Sequence, residues 1–171
     1  MSGSPISVAI RQEAPGDQDA IFKLTEAAFK EMPFSDGDEQ HLVTRLRTDG
    51  DLALSLVAED GERIVGHIAF SPVTITDGAT HWYGLGPVSV WPEIHHRSIG
   101  SALIKRGIAD MKAIGAKGII LLGSNVYYPR FGFAHHPQLT YPGPPPEFFQ
   151  ALLLDGEMPS GKVDYAPGFY P

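Results

Sequence analysis

The sequence predicts a single α+β domain. Its 171 residues are 43% hydrophobic, which is enough to bury one substantial core. Segments with strand-like patterns alternate with helix-like segments, and neither an internal repeat nor a linker divides the chain. Two neighbouring features organise the prediction: an apolar strand that ends in a short loop, and the helix that follows this loop.

The first half of the chain predicts two helices between strands. Apolar side chains at every second position indicate strands, spacings of three and four indicate helices, and Asp-Gly pairs indicate hairpin turns. In chain order the elements are a strand at 6–11, a helix capped by Asp17 or Asp19, a helix at 38–48, and strands at 52–58, 63–73 and 82–90. Gly84 and Gly86 in the last of these leave open a bulge, a close approach by a ligand, or a plain edge strand.

The second half predicts one long helix and a continuous apolar strand. The helix spans 101–114 and ends at Gly115. Residues 118–123 are too apolar for a half-exposed strand and predict a central one. The remaining elements are a turn or short helix at 127–133, a stiff Pro-rich loop at 142–146, and a last hairpin of 148–154 with 162–165.

Composition excludes several classes of function. The chain has 13 Lys and Arg residues against 20 Asp and Glu residues, which argues against binding nucleic acid or an anionic membrane. It has no cysteine, so disulfides, thiolate metal sites and cysteine nucleophiles are excluded. Because the first residues carry no signal-peptide pattern and no apolar run could span a membrane, we expect a cytoplasmic protein.

The loop between strand 82–90 and helix 101–114 is the first candidate site. A strand, a short loop and a helix aim backbone N–H groups at a phosphate, although the same pattern also occurs as an ordinary connection. No Gly-x-x-x-x-Gly-Lys-Ser/Thr motif is present, so a nucleotide-kinase loop is excluded.

Two motifs resemble those of the GNAT superfamily of acetyl-CoA-dependent N-acetyltransferases. The segment from Leu85 to Leu103 is similar to the family's acyl-CoA loop, Q/R-x-x-G-x-G/A. Here His95 stands where Gln or Arg is usual, and Ser98 stands where the first Gly is usual. The segment 123–133 is similar to the family's Asn plus Tyr-x-x-x-Gly-Phe signature, and one helix and one strand fit between the two motifs.

The resemblance covers nearly the whole chain and implies one GNAT-like domain over residues 1–171. It implies α/β/α layers around a mixed, mostly antiparallel central sheet that is splayed between its fourth and fifth strands. It also implies direct transfer of an acetyl group, in a ternary complex, from acetyl-CoA as co-substrate to a primary amine. The acceptor would be a small-molecule or peptide amine, and a homodimer stays open. The tail from Phe148 onward resembles a subset of bacterial members whose substrates are mostly unassigned.

The resemblance also implies how acetyl-CoA would be held. Backbone groups of Val88 and Val90 would pair with the pantetheine arm, and the amide at Val88 or Ser89 would polarise the acetyl carbonyl. Loop N–H groups and the positive end of the following helix would hold the pyrophosphate. Asn125 would bond the pantetheine or, alternatively, cap its own loop. The implied cofactor-binding residues are Val88, Ser89, Val90, His95, His96, Arg97, Ser98, Ile99, Gly100, Ser101, Asn125 and Tyr128.

The catalytic residues that we expect are Tyr128 and His81. Tyr128 matches the family's general acid, which protonates the leaving thiolate, and its alternative is an aromatic packing role. A histidine or a carboxylate with a raised pKa would serve as the base near neutral pH, and the candidates are Glu31, His67, His81 and a chain of waters. Of the two histidines, His81 is preferred because it lies at the start of a strand.

A metal site is not expected. The adjacent pairs His95-His96 and His135-His136 lack a third ligand at a standard spacing, and neighbouring side chains in an extended chain point apart. By position, Met32, Phe34 and the Pro-rich loop near Tyr141 are candidates for the acceptor pocket. Two other functions stay open: a non-catalytic acyl-CoA sensor or interaction module on the same fold, and a binding domain without a cofactor.

Overall fold

A computed structural model of the chain describes residues 8–33 and 35–171, and at residues 95–97 it describes the backbone alone. The start of the first predicted strand and the side chain of Phe34 lie outside the described residues.

The strands are β1 (Ala9–Gln12), β2 (Leu54–Asp60), β3 (Arg63–Pro72), β4 (Thr74–Ile75), β5 (Trp82–Val90), β6 (Gly118–Leu122), β7 (Leu139–Thr140), β8 (Phe149–Leu153) and β9 (Gly161–Asp164). The α-helices are α1 (Gln18–Phe29), α2 (Glu39–Asp49) and α3 (Ile99–Ala113). Short 3₁₀ helices lie at Pro92–Arg97, Tyr128–Phe131, Pro146–Phe148 and Pro167–Phe169.

The central sheet confirms the predicted fold class. Its six strands follow the order β1-β2-β3-β5-β6-β8, and all neighbours are antiparallel except β5 and β6. Those two parallel strands pair only from Trp82–Gly84 to Gly118–Ile120, although β5 continues to Val90. The sheet is therefore splayed between its fourth and fifth strands in chain order.

Helices cover both faces of this sheet. On one face α3 buries Leu103 and Met111, and it approaches closely because a Cβ atom on Gly107 would lie 2.5 Å from the ring of Phe70. On the other face α1 packs on β3 and β5, and α2 packs on α1. From α2, the side chains of Leu42, Val43 and Leu46 are buried, which agrees with their helical spacing in the sequence.

A bulge interrupts β5 near its two glycines. Val88 pairs with Ile68 and Leu85 pairs with Phe70, so Gly86 and Pro87 together face the single residue Ala69 of β3. This outcome confirms the bulge, while a close approach by a ligand stays a prediction. The plain edge strand was wrong, because β5 lies inside the sheet between β3 and β6.

The predicted C-terminal hairpin was also wrong. Strand β8 pairs with β6 along one edge, while Ala134 pairs with Ala151 on the other edge. Because both edges of β8 are occupied there, the last strand cannot fold back beside it. Instead β9 joins β4 and β7 in a second, three-stranded sheet of order β4-β9-β7. This arrangement places the C-terminal tail beside the splayed part of the central sheet.

Candidate active site

The open edge of β5, which is the edge of Leu85–Val90 that faces away from β3, is the first part of the candidate site. Among the described residues no strand pairs with this edge after Gly84. The N–H of Trp91 donates to the carbonyl of Val65 on β3. Since backbone groups alternate in direction along a strand, those of Val88 and Val90 point to the open edge. They are available to an extended ligand.

Ser89 does not face the gap between β5 and β6 beyond Gly84, which we call the opening. The same alternation directs its backbone toward β3, where it pairs with His67. Its side chain is buried beneath α1, and its hydroxyl lies 3.4 Å from the hydroxyl of Thr25. Of the two amides predicted to polarise an acetyl carbonyl, only that of Val88 lies on the open edge.

The start of α3 follows β5 after the short 3₁₀ helix at Pro92–Arg97 and supplies further donors. The first helical hydrogen bond runs from the N–H of Ala102 to the carbonyl of Ser98. The N–H groups of Ile99, Gly100 and Ser101 therefore precede the helical ladder and carry the positive end of a 15-residue helix. The side chains of His95, His96 and Arg97, which are predicted to assist these donors, lie outside the described residues.

Ser98 has the backbone conformation that favours glycine. Its φ of 64° and ψ of 16° lie in the left-handed region, and its hydroxyl makes no capping hydrogen bond to α3. A side chain in this region costs about 1 kcal/mol relative to glycine. The departure from the family's Gly at this position therefore costs stability and gains no cap.

Ser98→Gly is expected to raise the free energy of unfolding by about 1 kcal/mol, because it relieves this backbone strain. Urea unfolding of the purified variant would measure the change. Ser101→Gly is the matched control: it places glycine inside the first turn of α3 and is expected to destabilise the protein. A Ser98→Gly variant no more stable than the wild type would contradict the assigned strain.

Tyr128 lies on the far side of the opening, just after β6. Its ring covers Gly123, where a Cβ atom would lie only 2.5 Å from the ring. Edge-on contacts with Tyr127 and Phe133 hold the ring at centroid distances of 5.1 and 6.1 Å. Burial, with a smaller effect of Tyr127, raises the pKa of the Tyr128 phenol to about 12. The hydroxyl has no hydrogen-bond partner among the described residues and stays protonated at neutral pH.

The turn that carries Tyr128 is held by two residues that sequence reasoning missed. The hydroxyl of Ser124 accepts hydrogen bonds from the N–H groups of Val126 and Tyr127. The side-chain amide of Gln150 donates to the carbonyls of Gly123 and Ser124 at 3.1 and 3.2 Å. A serine before a turn is a recognisable signal, whereas Gln150 comes from a distant strand and has none.

Asn125 is exposed and does not cap its own loop. Ser124 fills the capping role that was one of the two alternatives for Asn125. The other alternative, a hydrogen bond to the pantetheine arm, stays a prediction.

His81 lies at the other end of the paired strands from Tyr128. It precedes β5, is exposed, and its carbonyl accepts from the N–H of Lys117 at 2.8 Å. Gly123 is five residues beyond Gly118, the first residue of β6, so the separation along the sheet is about 16 Å. The structure does not bring His81 and Tyr128 together.

His67 is fully buried on the sheet face beneath α1 and belongs to a polar network. The hydroxyl of Ser55 donates to Glu13 at 2.6 Å and lies 2.8 Å from Nε2 of His67. Because Ser55 gives its only proton to Glu13, it accepts one from Nε2, which leaves Nδ1 of His67 as a bare acceptor. Arg47 completes the network with two hydrogen bonds to Glu13. Burial lowers the pKa of His67 to about 4, an effect that Arg47 adds to and Glu13 opposes.

The described side chains form no metal-binding cluster. Among residues 8–33, 35–94 and 98–171 no group of three or more His, Asp or Glu side chains is placed to hold a metal ion. In the same part of the chain no helix combines the length and apolar character needed to cross a bilayer.

Known N-acetyltransferases resemble this chain along most of its length. The family model described as an acetyltransferase (GNAT) domain matches residues 9–136. YhbS of Escherichia coli strain K12, described as an uncharacterized N-acetyltransferase, is 34% identical over 167 residues, which cover 94% of this chain and 97% of YhbS. The chain belongs to the GNAT family of acetyltransferases.

Two solved structures share both fold and sequence with this chain. A GNAT family acetyltransferase from Brucella melitensis, solved in complex with acetyl-CoA, is 42% identical with a TM-score of 0.86 and covers 96% of this chain and 99% of its own. YhbS from Escherichia coli, solved in complex with CoA, is 30% identical with a TM-score of 0.88 and covers 100% of this chain and 96% of its own.

Proposed function

We propose that this protein transfers the acetyl group of acetyl-CoA directly to a primary amine within a ternary complex. The observation that carries the proposal is the open edge of β5, with the N–H groups at the start of α3 following it in the chain and the protonated Tyr128 across the gap. An extended chain ending in a pyrophosphate fits this order of groups. The complexes of the two similar proteins with acetyl-CoA and CoA support the choice of co-substrate.

The proposed site assigns a separate role in binding or catalysis to each group of residues. The start of α3 binds the pyrophosphate, and the backbone of Val88 and Val90 pairs with the pantetheine arm. The amide of Val88 donates to the acetyl oxygen as negative charge develops there. We leave Ser89 and His81 out of the proposed site because neither faces the opening.

The proposed reaction replaces one bond to the acetyl carbon by another. The lone pair of the amine attacks the acetyl carbon, the carbon–sulfur bond breaks, and the sulfur takes a proton from the hydroxyl of Tyr128. Of the candidate bases, His67 is buried beneath α1 and His81 lies at the far end of the strands. The proton of the amine would therefore pass to water or to the exposed carboxylate of Glu31. The products are the acetylated amine and CoA, and solvent returns the proton to Tyr128.

We further propose that residues 1–171 act as one domain. The tail beyond the family model supplies β8 to the central sheet, and Arg45 of α2 donates to the carbonyl of Gly168 at 2.7 Å. The Escherichia coli relatives support a bacterial setting, and we propose the cytoplasm as the location.

Acetyl-CoA and CoA are expected to stabilise the protein, whereas ATP is not. A ligand at 100 times its dissociation constant adds about 2.7 kcal/mol to the stability of the folded state. Thermal unfolding with the three nucleotides side by side measures the effect, and thiol release with a panel of amines then tests turnover. Absence of a shift with both CoA species would contradict the proposed co-substrate. A shift without thiol release from any amine would favour a non-catalytic acyl-CoA-binding module.

A further inference from the structure

Beyond the opening, on the sheet face away from α3, the C-terminal tail contributes a row of packed aromatic rings, of which Tyr165 and Phe149 are buried. Tyr165 lies against the point where β5 and β6 part, since a Cβ atom on Gly84 would lie 2.8 Å from its ring. Tyr141 meets Tyr165 edge-on at 5.2 Å and stacks on Phe149 at 5.7 Å. We call these three residues, Tyr165, Tyr141 and Phe149, the aromatic row.

The aromatic row leads away from the opening across neighbouring strands. Phe149 begins β8 and pairs with Leu122, the last residue of β6. Leu122 shares the sheet face of Phe149 and is 37% exposed, so apolar surface extends between the end of β6 and β8. Two strand spacings separate β5 from β8, a distance of about 10 Å.

A cavity of about 380 Å³ lies at the far end of the aromatic row. No Asp, Glu, Lys or Arg is among the described residues that line it, and the hydroxyl of Tyr141 is engaged by the hydroxyl of Tyr170 at 3.1 Å. Prolines and aromatic residues make up more than half of its lining, which consists of His135, Pro137, Leu139, Thr140, Tyr141, Pro142, Gly143, Pro144, Pro146 and Phe149.

The cavity has the size and chemistry of a pocket for a ring. An apolar cavity of about 150 Å³ holds benzene, so this one has room for one or two rings. Burying apolar surface contributes roughly 25 cal/mol per Å², whereas a charged group would lose its hydration here without an opposite charge to replace it. The lining therefore selects against sugars and polyamines and in favour of an apolar ring.

We propose that this cavity binds the apolar end of the acceptor, which is a primary amine joined through a flexible chain to an apolar ring. The amine would reach the opening, the chain would cross the exposed apolar surface at Leu122, and the ring would occupy the cavity. The two strand spacings between β5 and β8, about 10 Å, set the expected linker at several methylene groups. This inference rests on the proposed function, because it assigns the substrate class of the same site.

A series of ω-phenylalkylamines tests the length and the class together. In thiol-release assays with acetyl-CoA, 6-phenylhexylamine is expected to give a kcat/KM at least tenfold above those of 2-phenylethylamine, ethanolamine, glucosamine and spermidine. Binding of 6-phenylhexylamine to the CoA-saturated protein, measured by calorimetry, gives a readout that does not depend on turnover. Absence of saturable binding, or no preference over the polar amines, would overturn the proposal. Saturable binding without thiol release from any amine would instead contradict the proposed acetyl transfer.

Two neighbouring prolines provide matched variants. Pro144 lines the cavity, whereas Pro145 is exposed beside it and does not. Pro144→Glu is expected to raise the KM for 6-phenylhexylamine at least tenfold with little change in kcat or in the KM for acetyl-CoA. Pro145→Glu adds the same charge outside the cavity and is expected to leave all three constants near the wild-type values. Equal effects of the two variants would overturn the assignment. Should Pro144→Glu lose its thermal shift with CoA, Pro142→Glu replaces it as the second lining variant.

Discussion

Tyr128→Phe is expected to lower the rate of thiol release by about 10²- to 10³-fold while leaving the thermal shift with acetyl-CoA unchanged. The substitution removes only the hydroxyl that would protonate the leaving sulfur, and general acids contribute about 10²- to 10⁴-fold to such rates. The ring keeps its contacts with Gly123 and Phe133, so the turn and the acetyl-CoA site should persist. Single-turnover and steady-state assays with one amine would measure the loss.

Tyr127→Phe is the matched control for this prediction. Its ring packs beside Tyr128 and lies under the guanidinium of Arg130 at 4.4 Å, so we expect near wild-type turnover.

Burial raises the pKa of Tyr128 to about 12, so the acid form persists into alkaline solution. Turnover should therefore not decline from its ionisation below about pH 11. Equal rates for wild type and Tyr128→Phe would exclude Tyr128 as the acid.

The second large effect concerns stability in acid and depends on His67. Burial lowers the pKa of this side chain from 6.5 to about 4 in the folded protein. As the pH falls below 6.5, the unfolded chain takes up a proton that the folded chain refuses until about pH 4. Folding therefore loses stability across this window, by about 3 kcal/mol in total from this one residue.

His67→Gln should remove this part of the acid sensitivity, because glutamine does not titrate and its amide can still donate to Ser55. Urea unfolding at pH 7, 5.5 and 4.5 would measure the slopes. We expect a shallower loss for His67→Gln, while His41→Gln, which removes an exposed histidine, should retain the steep loss of the wild type. Parallel curves for wild type and His67→Gln would show that His67 is not the group responsible.

Much of the fold could be predicted because its signals are local. The 3.6-residue spacing of Leu42, Val43 and Leu46 identifies α2, and the Asp60-Gly61 pair identifies the β2–β3 turn. The last hairpin failed for the opposite reason. Asp155-Gly156 is a sound turn signal, but which strands pair depends on which strand edges are free. One edge of β8 is occupied at Ala151 by Ala134, a residue outside any predicted strand.

In the candidate site too, some residues could be predicted from local signals and others could not. The family motifs place Ser98 and Tyr128, because strand, loop and helix are consecutive there. The directions of side chains were harder to predict: Ser89 points beneath α1, since the bulge at Gly86 and Pro87 shifts the alternation of the strand after it. Tyr165 was assigned only to the end of the predicted last hairpin, because no pattern near it reveals that its ring meets Gly84, eighty-one positions earlier in the sequence.

The contact between Tyr165 and Gly84 also bears on how related enzymes can acquire new acceptors. The groups proposed to hold the acetyl donor come from residues 88–128, within the segment that the family model matches, whereas the aromatic row and its cavity come almost entirely from the tail after residue 136. Under the two proposals, consecutive stretches of the chain would bind the two substrates. Mutation or recombination beyond residue 136 would then exchange the acceptor while the donor is retained, which would give related enzymes a short route to new amines.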